Sequence, residues 1–198
     1  PQFGELLRAV GAVDGIRRVR YVSPHPKDMN LETLMAMAET PAVCEHLHYP
    51  LQSGSDRLLA IMHRGYNAER YLERLHEARR LIPDLAISTD IIVGFPGETE
   101  EDFLETLDLM NHVEFDGLFA FIYSDRPNAP AVAFKGKVPE NTKKERLQRL
   151  LEQQEISTFN KNKRLVGKDK EILVEGVSRK KRDNSESIQY MGRTTCNK

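Results

Sequence analysis

Strand-like apolar runs alternate with stretches of helical periodicity, and that alternation constrains this chain more than any other feature. "RRVRYV" (17–22) precedes "NLETLMAMAE" (30–39), where Asn30 is placed to cap a helix. "HLHYPL" (46–51) precedes "SDRLLAIM" and then "NAERYLERLHEARRLIP". In the latter, Tyr71, Leu72, Leu75, Ala78 and Ile82 recur at helical spacing, and Pro83 ends the run. "LAISTDIIVG" (85–94) leads into "TEEDFLETLDLMNHV", with Thr99 and Asp102 spaced as a capping box. "GLFAFIY" (117–123) closes the series. Repeated strand–helix units with nearly continuous apolar strands predict an α/β fold, a parallel sheet covered by helices.

Beyond "SDRPNAPAVAF" the pattern changes. Residues 140–165 read as one long polar helix with Leu147, Leu150 and Leu151 on its apolar side. Residues 166–198 read as short strands joined by a charged loop, the opening of a small β-barrel. Charge changes at the same place: residues 1–134 carry 12 Lys and Arg against 21 Asp and Glu, whereas residues 135–198 carry 17 against 9. An acidic module followed by a basic one suggests that the second is attracted to a polyanion. The strand–helix series lacks a first strand and the β module lacks its end, so the chain is expected to be part of a longer protein. No apolar run approaches the roughly 18 residues a membrane helix needs, and no signal peptide is visible. Cys44 and Cys196 are the only cysteines, too few and too scattered for a disulfide framework or a zinc site. No membrane contact and a reducing, cytoplasmic setting are expected.

In parallel βα folds, working residues gather at the carboxyl ends of the strands. Gln52 sits at such an end, followed by a glycine turn, a short helix and Arg64. Asp90 lies inside an apolar strand, where a carboxylate must pair or face a polar cavity. His46 and His48 alternate along one strand and share a face, a geometry that suits a metal, but only Asp90 offers itself as a further ligand, so no metal site is assigned. His25, in "SPHPKD", is placed to line a pocket. Cys44 has no neighbouring base and reads as a buried structural thiol. The acidic helix start in "GFPGETEED" suits the helix dipole and would repel phosphate, and no nucleotide-binding loop is present.

Taken together, "SPHPKD", "LHYPLQSGSDRLLAIMHRGY", "TDIIVGFPGETEEDF" and "FIYSDR" resemble the radical SAM methylthiotransferases, and within them the MiaB-like, tRNA-modifying branch. The resemblance covers nearly the whole chain in order. Ser53 follows the glutamine where relatives that modify a ribosomal protein usually carry histidine, which favours the tRNA branch. "YSDRPNAPA" departs from the family pattern at Asp125, Asn128 and Ala129. The resemblance implies that residues 1–135 are the later part of a partial (β/α)6 TIM-like radical SAM barrel. Residues 136–165 would be a connecting helix, and 166–198 the start of a truncated TRAM RNA-binding β-barrel.

By that resemblance Gln52 and Asp90 hold the ribose hydroxyls of S-adenosyl-L-methionine (SAM), and Arg64 holds its methionine carboxylate. Donor and acceptor chemistry agrees. Gly94 would let the backbone approach the adenine. His25 would contact substrate, with Arg179, Lys180, Lys181, Arg182 and Arg193 meeting tRNA phosphates. The implied reaction places a methylthio group on C2 of an adenosine beside the anticodon. It uses SAM and two [4Fe-4S] clusters, with flavodoxin or ferredoxin as electron donor. Neither cluster's cysteine set is present here, so this stretch alone is expected to be inactive. The parent is expected to be a monomer. Three alternatives stay open: a methylthiotransferase acting on a ribosomal protein, a non-catalytic RNA-binding module, and a metal-dependent hydrolase barrel built on His46 and His48.

Overall fold

A computed structural model describes residues 2–22, 25–178 and 188–198. Its centre is a parallel sheet of β1 (His46–His48), β2 (Ala86–Val93) and β3 (Gly117–Ile122), in that spatial order. The central strand is buried over most of its length, with Ile87 and Ile91 fully inaccessible. That burial is why β2 reads as a near-continuous apolar run rather than an alternating one. Helices α1 (Phe3–Gly11), α2 (Leu31–Glu39), α3 (Asp56–Ile61), α4 (Ala68–Leu81) and α5 (Glu100–Val113) occupy the intervals, and α6 (Glu140–Lys163) packs along β3 and β2. The α/β expectation is met.

The capping signals are met too. Asn30 Oδ1 accepts from the Thr33 amide at 2.9 Å, and Thr99 and Asp102 form the reciprocal capping box of α5. The aromatic core is anchored by Tyr71, whose ring stacks on Tyr49 at 4.5 Å while its hydroxyl donates to the Tyr49 carbonyl at 2.6 Å. A Cβ on Gly54 would sit 2.5 Å from Thr106 Cα, so only glycine lets the turn after Gln52 lie against α5. Cys44 is buried, as expected.

Three sequence expectations need correction. Residues 17–22 form no strand; Val19 makes a single parallel bridge to Val43, and the flanking Arg18 and Arg20 reach instead toward the C-terminal segment. The strand expected over 46–51 ends at His48, because Pro50 has no amide to give the ladder. The sheet resumes beyond it, where Gln52 bridges Ile91. Leu151 is exposed: the buried side of α6 consists of Leu150 with Lys143, Arg146, Gln154 and Ser157.

The C-terminal segment contributes β4 (Ile172–Val177) and β5 (Tyr190–Thr194), an antiparallel pair with a register shift between Val174 and Gly176. Arg18 donates to the Arg193 carbonyl at 2.6 Å and Arg20 to the Thr194 carbonyl at 2.5 Å, which dock the pair against the α/β unit. Asp116 completes the junction, bound by Lys161 at 2.8 Å and Lys198 at 3.4 Å. Arg193 lies within β5, beside Glu175 at 3.6 Å. Arg179, Lys180, Lys181 and Arg182 fall outside the described residues. Among the described residues, no helix is long and apolar enough to cross a membrane.

Candidate active-site cleft

The chain reaches Gln52 by an irregular route. Thr89 Oγ1 donates to the Tyr49 carbonyl and accepts from the Leu51 amide, both at 2.9 Å. Tyr66 supplies its hydroxyl to the Leu51 carbonyl at 2.9 Å. These side chains satisfy backbone groups that the interrupted ladder leaves over. Gln52 is then pinned to β2 by its amide on the Asp90 carbonyl (2.7 Å) and its carbonyl on the Ile92 amide (3.0 Å). Its φ of 72° is left-handed. A non-glycine residue there costs on the order of 1–3 kcal/mol, a strain that accompanies functional sites.

Arg64 arrives by a helix stop. The Arg64 amide bonds the Leu59 carbonyl and the His63 amide the Ala60 carbonyl, each at 3.0 Å, with His63 at φ 55°. This Schellman pattern ends α3 and reverses the chain. Arg64 therefore comes back over the strand ends, and with Gln52 and Asp90 it lines one cleft of about 310 Å³. Ile92, Phe121 and Tyr123 give the cleft an apolar wall. Arg64 Nε is buried and has no hydrogen-bond partner among the described residues.

Other sequence candidates lie elsewhere. Gly94, at φ 74°, is not on the cleft wall; Lys143 fills the space a side chain would take, and the Gly94 amide donates to Glu98 Oε2 at 2.7 Å. His25 stands edge-on to Tyr66 at 5.7 Å, outside the cleft wall. Burial, then the charges of Arg64 and Lys27, hold its imidazole below the ordinary range against the opposing pull of Asp28. His46 and His48 both contact Ser88 Oγ, at 3.1 and 3.0 Å. Among the described residues, no group of three or more His, Cys, Asp or Glu gathers as metal ligands.

Sequence reasoning missed the aromatic wall and Arg126, which also lines the cleft. Phe119 and Phe121 alternate along β3, Tyr123 follows in the same phase just past its end, and that period of two was the available signal. It also missed the ion network behind Gly94. Arg146 meets Glu98 Oε2 at 2.6 Å and Glu100 Oε2 at 3.2 Å, with both Arg146 and Glu98 nearly inaccessible.

Residues 1–110, more than half of the chain, match the sequence profile of the Radical SAM superfamily. The chain belongs to that superfamily. S-adenosylmethionine and an iron–sulfur cluster are the cofactors that radical SAM membership implies. Coproporphyrinogen III oxidase (HemN) from Escherichia coli, described as a radical SAM enzyme, superimposes with a TM-score of 0.57 at 22% identity. The match covers 67% of this chain and 31% of that one, and at this identity the likeness shows the fold alone. The radical SAM chain is also similar to proteins named tRNA-2-methylthio-N(6)-dimethylallyladenosine synthase. Those of Desulfosudis oleivorans and Moorella thermoacetica are 49% and 48% identical over 99% of this chain. That of Thermobifida fusca is 54% identical over 90% of it. The chain spans 43%, 43% and 36% of the length of these relatives, respectively.

Proposed function

We propose that this chain is the SAM-holding part of a tRNA methylthiotransferase that acts on C2 of an adenosine, isopentenylated or not, beside the anticodon. The observation that carries the reading is the meeting of Gln52, Arg64 and Asp90 in one cleft with Arg64 Nε left unpartnered. The donor set fits SAM: a guanidinium for the methionine carboxylate, an amide and a carboxylate for the ribose hydroxyls, and an apolar wall for the adenine. When bound, SAM supplies the organic radical and the methyl group of this reaction class. The chain's own part is to bind and orient it. Gly94, in this reading, shapes the strand end behind the adenine.

The residues present do not fit the iron–sulfur clusters. Cys44 and Cys196 are both buried, and a cluster needs several thiolates. The proposed two [4Fe-4S] clusters would draw their ligands from outside these 198 residues, and no step is derived through them. Residues 1–135 would form the later part of the barrel, 136–165 the connecting helix, and 166–198 the start of the TRAM module. The partners would be tRNA and a flavodoxin- or ferredoxin-type donor, met in the cytoplasm by a monomer. His25 would face the substrate. The similarity to relatives named for tRNA modification favours this reading over a ribosomal-protein substrate.

Nucleoside analysis by mass spectrometry tests it. Deleting the gene is expected to remove 2-methylthioadenosines from tRNA, with restoration by the native gene and not by an Asp90→Ala copy. Unchanged tRNA nucleosides, with loss of a methylthio group from a ribosomal protein, would replace this reading with its alternative.

The basic C-terminal module gives a second expectation. Arg179, Lys180, Lys181, Arg182 and Arg193 are proposed phosphate contacts. Replacing Lys180, Lys181 and Arg182 with glutamine should flatten the salt dependence of tRNA binding by about 0.7–0.9 per lost contact in log–log slope. SAM affinity should stay the same. A filter-binding series at several salt concentrations measures it, and an unchanged slope would exclude these residues as the contact.

A further inference from the structure

The parallel register pairs His48 with Ser88, and residues two apart share a face of a strand. His46 and His48 on β1 therefore stand beside Ser88 and Asp90 on β2, on the open side of the sheet. Their polar atoms form one line. His46 Nε2 lies 3.1 Å from Ser88 Oγ, Ser88 Oγ 3.0 Å from His48 Nδ1, and His48 Nε2 3.4 Å from Asp90 Oδ1. The line starts at a cavity of about 510 Å³ near the amino ends of the strands and finishes at Asp90 in the cleft.

We propose that His48 is a positioning residue for Asp90, oriented by Ser88 and His46, and that it fixes which carboxylate oxygen of Asp90 faces the bound ligand. The proposal rests on the reading of the cleft as a SAM site.

Proton counting gives the line a direction. Ser88 has one hydroxyl proton and two imidazole neighbours, so it can donate to only one of them. If it donated to His46, a neutral His48 would spend its proton on Ser88 and turn a lone pair toward the Asp90 carboxylate. That arrangement is repulsive. In the consistent one, His46 Nε2–H donates to Ser88 Oγ and Ser88 donates to His48 Nδ1. His48 then turns its Nε2–H toward Asp90 Oδ1, 3.4 Å away, leaving the second oxygen of Asp90 free for a ligand hydroxyl. The environment suits a neutral His46: burial first, then the charge of Arg20, brings it down to about 4 against the pull of Asp116. Phe119 of β3 closes the remaining side of His48, edge-on at 5.7 Å. A hydrogen-bonded second layer of this kind sets both tautomer and orientation of the group it holds.

The test is a double-mutant cycle in the intact protein, with SAM as the titrated ligand and calorimetry as the readout. His48→Leu is expected to weaken SAM binding about five- to tenfold, the worth of one orienting hydrogen bond. His48→Gln, whose amide N–H can replace Nε2–H, should restore most of it. In an Asp90→Asn background, His48→Leu should add nothing. Equal losses for Leu and Gln, or the same loss in the Asp90→Asn background, would overturn the proposal and leave His48 a packing residue. If Asp90→Asn itself left SAM affinity unchanged, the reading of the cleft would fail, and with it any ligand for His48 to serve. Long-range 15N–1H NMR of histidine-labelled protein examines the line without ligand. A proton on Nε2 of His48 is expected, and an Nε2 without a proton would overturn the line itself.

Discussion

Replacing Arg64 with methionine is expected to weaken SAM binding by about ten- to a hundredfold, the worth of a charge-assisted pair of roughly 1.5–3 kcal/mol. The fold should not suffer. Arg64 makes no ion pair among the described residues, and its buried Nε has no partner. An unsatisfied buried donor costs stability, so methionine, with a similar stem and no donor, should leave the melting temperature unchanged or raise it. Loss of affinity without loss of stability is the signature of a residue kept for its ligand. Calorimetric titration with SAM and a thermal melt on the same sample measure the two halves. Unchanged affinity would reduce Arg64 to the residue that follows a helix stop.

Why Arg64 was legible and its neighbours were not follows from the range of the interactions. The helix stop that turns Arg64 back is local, spanning Leu59 to Arg64, and a short helical run followed by Arg-Gly announces it. Gln52 is likewise marked by its own strand and the glycine turn. Asp90 was conspicuous because a carboxylate in an apolar strand demands a partner or a cavity. Arg146, by contrast, lies 48 residues from Glu98, and no local pattern joins them.

The same network defeated the helical-face reading of α6. Its buried side carries Lys143, Arg146 and Gln154, which count as polar in any periodicity argument, and Leu151 points away from it. The missing strand at 17–22 has a related cause. β-branched residues and alternating arginines suit a strand, but the arginines are used as hydrogen-bond donors to the carbonyls of residues 193 and 194. That junction is visible only once the chain ends are brought together.

The largest stability change is expected at Arg146. Its Nη1 meets both Glu98 Oε2 (2.6 Å) and the Glu98 carbonyl (3.3 Å), while Nε and Nη2 hold Glu100. Arg146→Met would leave the Glu98 carboxylate buried, with the Gly94 amide, which donates to Oε2 at 2.7 Å, as its one remaining hydrogen-bond donor among the described residues. Breaking one side of a buried pair costs about 3–5 kcal/mol. Urea unfolding of the native protein and the variant measures it.

The pH dependence carries its own sign. Burial already raises the Glu98 carboxyl above its ordinary value of 4.5, with the Gly94 amide and Arg146 opposing the rise. Removing Arg146 takes away one of those opposing contributions and raises it further. A raised carboxyl binds its proton more tightly folded than unfolded, so stability falls as pH climbs above the unfolded value. The deficit of Arg146→Met should therefore be small near pH 4 and grow toward neutrality. A deficit that stayed constant over that range would mean that the lost stability comes from the cation–π contact with Phe103, whose ring centroid lies 5.6 Å from the guanidinium carbon. The network also joins α6 to the strand end at Gly94, two residues beyond Ile92 on the cleft wall. Loss of Arg146 should thus reach the cleft through the backbone rather than through any contact with the ligand.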